Sequence, residues 1–215
     1  MQDDFDMDMN LWLAFVAASM ALLLIPGPTV LLVLSYALSK GRQVAVSAAL
    51  GVALGDLIAM SASLLGLGAL VMASATLFVV LKWAGAVYLV WLGIKLWRSA
   101  SAEGVTELAN TRDVQAKGIL GHTATVTALN PKSIGFFIAF VPQFIRPEGN
   151  LAPQFAILIA TFVILAGLNA LAYAVLADRL RGWIARPSVV AKLTRGGGVA
   201  LIGMGLTTAF LRRPA

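Results

Sequence analysis

A chain of 215 residues, 60% hydrophobic and 12% charged with a mean hydropathy of +0.88, lies outside the soluble range, where about a quarter of residues are charged. Its 16 Lys and Arg exceed its 10 Asp and Glu, but the basic residues stand between apolar runs, where they read as topology signals rather than a nucleic-acid surface. With no Cys and one His, disulfides and thiolate metal sites are excluded, and a dedicated transition-metal site is disfavoured.

The apolar runs are about 20 residues long and do not alternate with period two, so membrane helices are expected rather than a barrel. Six spans are counted, over residues 11–39, 44–65, 76–97, 119–144, 152–177 and 196–211. Asp3, Asp4, Asp6 and Asp8 precede the first span, where a signal peptide would need basic residues.

The first span is interrupted by Pro26, Gly27 and Pro28. Neither proline contributes an N–H, and their rings press on the carbonyls of Leu22 and Leu24. Backbone freed in this way survives in a membrane only where it is buried in protein or lines a wet cavity. A second helical piece is expected to start at Pro28, leaving the amides of Thr29, Val30 and Leu31 as a site for an anion.

In the second span, Gly51 and Gly55 form a close-packing pair just before Asp56. Asp56 is the one carboxylate well inside a span, and its insertion costs at least about 2.5 to 3.5 kcal/mol. It reads as a proton-coupling or ammonium site, or else as half of a structural ion pair. Residues 66–75 are expected to form part of a short outer connection to the third span, which carries Lys82, Gly85 and Tyr88; 99–117 form a charged linker.

The fourth span repeats the interruption with Asn130, Pro131 and Lys132. Lys132 is open to three tasks: pairing with Asp56, holding a substrate carboxylate, or capping carbonyls freed by Pro131. Asn130 is expected to tie the broken backbone, and His122 to lie near the cytoplasmic mouth. Asn169 and Tyr173 are the polar groups of the fifth span. Near the sixth, Gly196 to Gly198 lacks the Lys and Ser/Thr spacing of a phosphate loop.

Lys40 and Arg42 follow span 1, Lys95, Arg98, Arg112 and Lys117 follow span 3, and Arg179, Arg181, Arg186, Lys192 and Arg195 follow span 5. The positive-inside rule then puts these loops in the cytoplasm and both termini outside, with Arg212 and Arg213 dissenting. Matching breaks in spans 1 and 4, with Asp56 of span 2 answering Asn169 of span 5, suggest an inverted repeat with a midplane binding site. The expected organisation is an acidic tail (1–10), a three-helix repeat (11–98), a cytoplasmic linker (99–117) and a second repeat (118–215).

Four stretches carry a family resemblance: LLIPGPTVLLVLSYALSKGR, ALGVALGD ending at Asp56, KWAGAVYLVWLGIKL, and TALNPKSIGFFIAFVPQF. With them the chain resembles the LysE/RhtB family of amino-acid exporters from about Leu11 to Leu211. The resemblance implies six transmembrane helices in two inverted halves, helices 1 and 4 broken at PGP and NPK. It also implies export of small amino acids from the cytoplasm, powered by the proton gradient; the PGP form resembles the branch handling threonine, homoserine or leucine. By motif match Pro26, Gly27, Pro28, Asp56, Asn130, Pro131 and Lys132 fall on characteristic positions of the family.

The resulting expectation is an all-α inner-membrane antiporter, not an enzyme, with no cofactor, metal or nucleic-acid partner. The implied partners are a small amino acid, protons and the bilayer, and a homo-oligomer is left open. Substrate is expected at Pro26, Gly27, Pro28, Thr29, Asn130, Pro131, Lys132, Asn169 and Tyr88, with Asp56 coupling to protons. Its carboxylate would meet the amides of Thr29 to Leu31, and its ammonium the carbonyls near Leu24 or Asp56. The alternatives are a cation or metal exporter of the wider superfamily, and a passive amino-acid channel.

Overall fold

The computed structural model describes residues 8–40, 44–73, 75–99, 118–146, 149–184 and 187–210. Among them the regular structure is helical: α1 (Met9–Leu24), α2 (Pro28–Lys40), α3 (Ala45–Ala73), α4 (Ala75–Ser99), α5 (Ile119–Ala128), α6 (Pro131–Ala139), a 3-10 turn (Val141–Phe144), α7 (Leu151–Ile184) and α8 (Pro187–Phe210). Most of the linker expected at 99–117 lies outside the described residues.

Proline sets both breaks. The residue before a proline is driven out of the helical region by the ring's Cδ, and Ile25 (φ −74, ψ 117) and Asn130 (φ −69, ψ 113) are both extended. α1 and α2 meet at 56°, and α5 and α6, carried on through the 3-10 turn, at 46°. Two helices, over Ala45–Ala69 and Leu151–Ala177, are long and apolar enough to cross a membrane, and each bent pair passes that test as one broken span. These make the chain a multi-pass helical membrane protein.

Three expected boundaries change, and one of them is the end of α7, which runs past the expected 177 to Ile184. Residues 66–73 are not part of a connection: α3 runs on to Ala73, because the stretch has no proline and its isolated glycines, Gly66 and Gly68, are tolerated inside an apolar helix. α8 starts at Pro187, ahead of the expected 196, since proline suits a first helical position and Lys and Arg are good helix formers.

The helices pack crosswise. α3 contacts α5 and α6, while α7 contacts α1 and α2, and α4 lies against α8 and α6. Glycines permit the closest approaches. A Cβ on Gly51 or Gly55 would fall 2.6 or 2.5 Å from the carbonyl oxygens of Leu120 and Ala124 on α5, so the pair in α3 is a seam against that helix.

The two ends of the broken helices are closed differently. Where α1 meets α6 and the 3-10 turn, Phe15, Phe136, Phe137, Phe140, Phe144 and Phe162 form a buried cluster with ring centroids 4.8 to 6.1 Å apart. Gln143 beside it donates to Thr208 of α8. Where α2 meets α5, the Tyr36 hydroxyl and His122 Nδ1 are hydrogen-bonded at 2.7 Å.

Candidate functional site at the meeting of two helix breaks

α1 ends on the carbonyls of Leu22 to Ile25, which the break deprives of their i+4 amides; Leu22 O keeps a 3.3 Å bond from Ile25 N–H, and each of the four takes a side chain from another helix. Lys132 Nζ donates to Leu22 O at 3.1 Å and to Ile25 O at 2.9 Å. Asn169 Nδ2 donates to Leu23 O, and the Tyr173 hydroxyl to Leu24 O, each at 3.1 Å. Unpaired carbonyls in a membrane interior cost several kcal/mol each, so α6 and α7 are held to the end of α1. Lys132 caps carbonyls of the opposite break, not those freed by Pro131. Gly27 allows it: a Cβ there would lie 3.3 Å from Nζ.

At the second break Asn130 is the N-cap of α6. Its Oδ1 accepts from Lys132 N at 3.0 Å, and its Nδ2 donates to Thr29 Oγ1, also at 3.0 Å. Thr127 Oγ1 reaches the same hydroxyl at 3.4 Å. The N-terminus of α2 is narrower than expected. Leu31 N–H bonds Gly27 O at 3.0 Å, because Gly27 takes the N-cap position, so Thr29 and Val30 keep the amides without an intrahelical acceptor.

Between the breaks lies a cavity lined by Leu22, Leu23, Thr29, Val30, Val33, Val52, Asp56, Asn130, Lys132, Ser133, Ala166, Asn169 and Ala170. The space open to water centres is about 30 Å³, enough for about two waters and too small for an amino acid. The site stands closed. Asp56 is 2% exposed, its Oδ1 has no hydrogen-bond partner, and Ser133 faces its carboxylate. Lys132 lines the same cavity, yet the ion pair found among the described residues is Arg146 with Asp8 at the surface.

Of the residues expected at the site, Thr29, Asp56, Asn130, Lys132 and Asn169 are brought together. Pro26, Gly27, Pro28 and Pro131 shape the breaks without lining the cavity. Tyr88 stands outside it, donating from α4 to Pro131 O at 3.2 Å and packing on Gly135. Sequence reasoning passed over Ser133 and Thr127; the signal for Ser133 was its place directly after Lys132 in the first turn of α6. Among the described residues no three His, Cys, Asp or Glu side chains gather as a metal site would require.

The model of the LysE type translocator family matches residues 20–211. The chain belongs to the LysE family. It is 36% identical over 202 residues to a homoserine/homoserine lactone efflux protein of Salmonella typhimurium strain LT2, covering 94% of this chain and 97% of that one. It is 32% identical over 165 residues to a leucine efflux protein of Enterobacter sp. strain 638, with 74% of each covered. An uncharacterized membrane protein of Vibrio cholerae serotype O1 is 32% identical over 203 residues, 94% of this chain and 98% of the relative. No solved structure matches the chain. Within the LysE family, then, this member has a small cavity, lined by Asp56 and Lys132, where its two broken helices meet.

Proposed function

We propose that this chain is a secondary active exporter of small neutral amino acids, of the homoserine, threonine or leucine kind, working in exchange for protons across the inner membrane. The observation that carries the reading is the cavity itself: a buried carboxylate with an unpartnered oxygen, a buried ammonium, and two helix breaks facing each other. Charge in a membrane interior is costly and is kept where it serves transport. The relatives named for homoserine and leucine efflux support the substrate class.

The fold in this proposal is six spans in two inverted three-helix halves, with α4 and α8 as the third and sixth spans and both termini outside. Support comes from the crosswise packing: α3 of one half sits on the break of the other, and α7 does the converse. Asp56 and Asn169, the polar residues of those two helices, both reach the cavity. The chain would alternate by opening in turn the α2–α5 end and the phenylalanine-sealed end.

The substrate carboxylate would take the free amides at the start of α2, near Thr29, and the ammonium would take the carbonyl end of α1. Asp56 would carry the proton. The test is counterflow in proteoliposomes: labelled homoserine, threonine or leucine should exchange against the same unlabelled amino acid inside. A chain that exchanges none of the three, or that shows single-channel conductance instead, is not this exporter.

A further inference from the structure

We propose that Lys132 is a tethered stand-in for the substrate's ammonium group: in the empty protein Nζ occupies the Leu22 and Ile25 carbonyls, and an arriving amino acid takes that place and releases the lysine to Asp56. This deepens the exporter reading above and rests on it.

Donors and acceptors in the cavity are mismatched. An ammonium has three N–H donors. Two go to Leu22 O and Ile25 O, and the third has no acceptor among the described residues. In the same cavity Asp56 Oδ1 has no donor. A buried cation and a buried acid that share a wall and stay unpaired are costly, so the arrangement needs a reason beyond capping. Neutral groups do the neighbouring caps, Asn169 at Leu23 and Tyr173 at Leu24. A neutral amide at position 132 would serve a purely structural cap with far less desolvation.

The move that pairs these groups is Lys132 to Asp56. It uncovers Ile25 O and leaves Leu22 O with only the Ile25 N–H at 3.3 Å, at the negative end of α1, where an arriving cation is favoured. A primary α-ammonium has the same three-donor chemistry as the lysine it replaces. Gly27 keeps the approach open: a Cβ there would crowd the ammonium position at 3.3 Å. The subsite therefore selects a free primary ammonium over an N-acylated one.

Proton exchange follows without contact between proton and substrate. While Asp56 is a neutral acid it offers Lys132 no anion, and the lysine stays on the carbonyls. When the Asp56 O–H bond breaks and the proton leaves to water on the cytoplasmic side, the carboxylate draws Lys132 over and the zwitterion fills the vacated place. Protonation of Asp56 from outside reverses each step and expels the substrate. Asp56 on α3 and Lys132 on α6 are the titratable groups lining the cavity; α1, α2 and α7 contribute apolar, hydroxyl and amide side chains.

The test compares Lys132→Gln with wild type in counterflow of labelled homoserine, threonine and leucine, and in proton release measured with a pH indicator on the detergent-solubilised protein. Lys132→Gln should exchange with a half-saturation several-fold lower than wild type, because no internal cation competes, and should release no proton on substrate addition. Lys132→Arg should restore release. A Lys132→Gln protein that folds but has a higher half-saturation, or still releases protons, overturns the proposal: lysine then holds the substrate or plays no part in coupling. Should Lys132→Gln not fold, wild type and Asp56→Asn decide. Proton release must occur with whichever of the three amino acids wild type exchanges, be absent with the N-acetyl form of that amino acid and vanish in Asp56→Asn, and any other pattern overturns the stand-in. If wild type exchanges none of the three amino acids, the exporter reading itself has failed.

Discussion

Asn130 donates to Thr29 at 3.0 Å, and that bond joins the N-cap of α6 directly to the first turn of α2. The same Asn130 side chain caps α6 through Lys132 N. Asn130→Ala removes both interactions from a site that is 3% exposed. A lost cap costs about 1 kcal/mol and an unsatisfied buried group about 1 to 3 kcal/mol. Asn130→Ala should therefore lower the melting temperature in detergent clearly, and Thr29→Val, which spares the cap, by less. Equal effects would mean that the cap contributes nothing.

Glycines along α3 make a sharper contrast. Gly51 and Gly55 lie so close to α5 that an added Cβ would overlap backbone oxygens, whereas nothing lies within 4 Å of a Cβ on Gly66. Backbone cannot move aside as a flexible side chain can, and overpacking costs about 1 to 3 kcal/mol. Gly55→Ala should destabilise by that order. Gly66→Ala should stabilise slightly, since Gly costs up to about 1 kcal/mol against Ala in a helix. Thermal unfolding of the two variants side by side checks the opposite signs.

How much of this was legible beforehand follows from which interactions are local. Pro26, Pro28 and Pro131 act on their own neighbours, so both breaks could be placed from sequence, and the cost of charge in lipid singled out Asp56 and Lys132. The partner of Lys132 could not be read. It lies more than a hundred positions away on α1, and its acceptors are carbonyls, which every residue has. Tyr88 misled for the same reason: a polar group in a span finds some partner, and its partner is Pro131 O, outside the cavity. Leu31 looked free because the N-cap role of Gly27 depends on the backbone turn, which composition does not carry.

Asp56 has an unpartnered oxygen in the cavity, and asparagine keeps its shape while abolishing its proton chemistry. In Asp56→Asn proteoliposomes, exchange of labelled substrate should need far higher substrate concentrations, because a neutral side chain gives Lys132 no anion to leave the α1 carbonyls for, and accumulation driven by an acid-outside pH gradient should disappear even where exchange is restored. The exchange rate should also lose its dependence on pH. If Asp56→Asn still concentrates substrate under that gradient, the proton travels by another group.

The closures at the two ends differ in strength, and this gives the last expectation. Six buried phenylalanines seal one end, while the other is joined by the bond between the Tyr36 hydroxyl and exposed His122. One such bond contributes about 0.5 to 1.5 kcal/mol net, so Tyr36→Phe should raise the open population at the α2–α5 end by about two- to tenfold. The chain has no Cys, which allows a single reporter thiol at Ala170, on the cavity wall. Its labelling by a small thiol reagent should speed up by that factor in Tyr36→Phe, and equally in His122→Ala. Because the two residues act through one bond, the double variant should gain nothing beyond either single one. Additive effects, or an unchanged labelling rate, would show that the Tyr36–His122 pair does not hold that end shut.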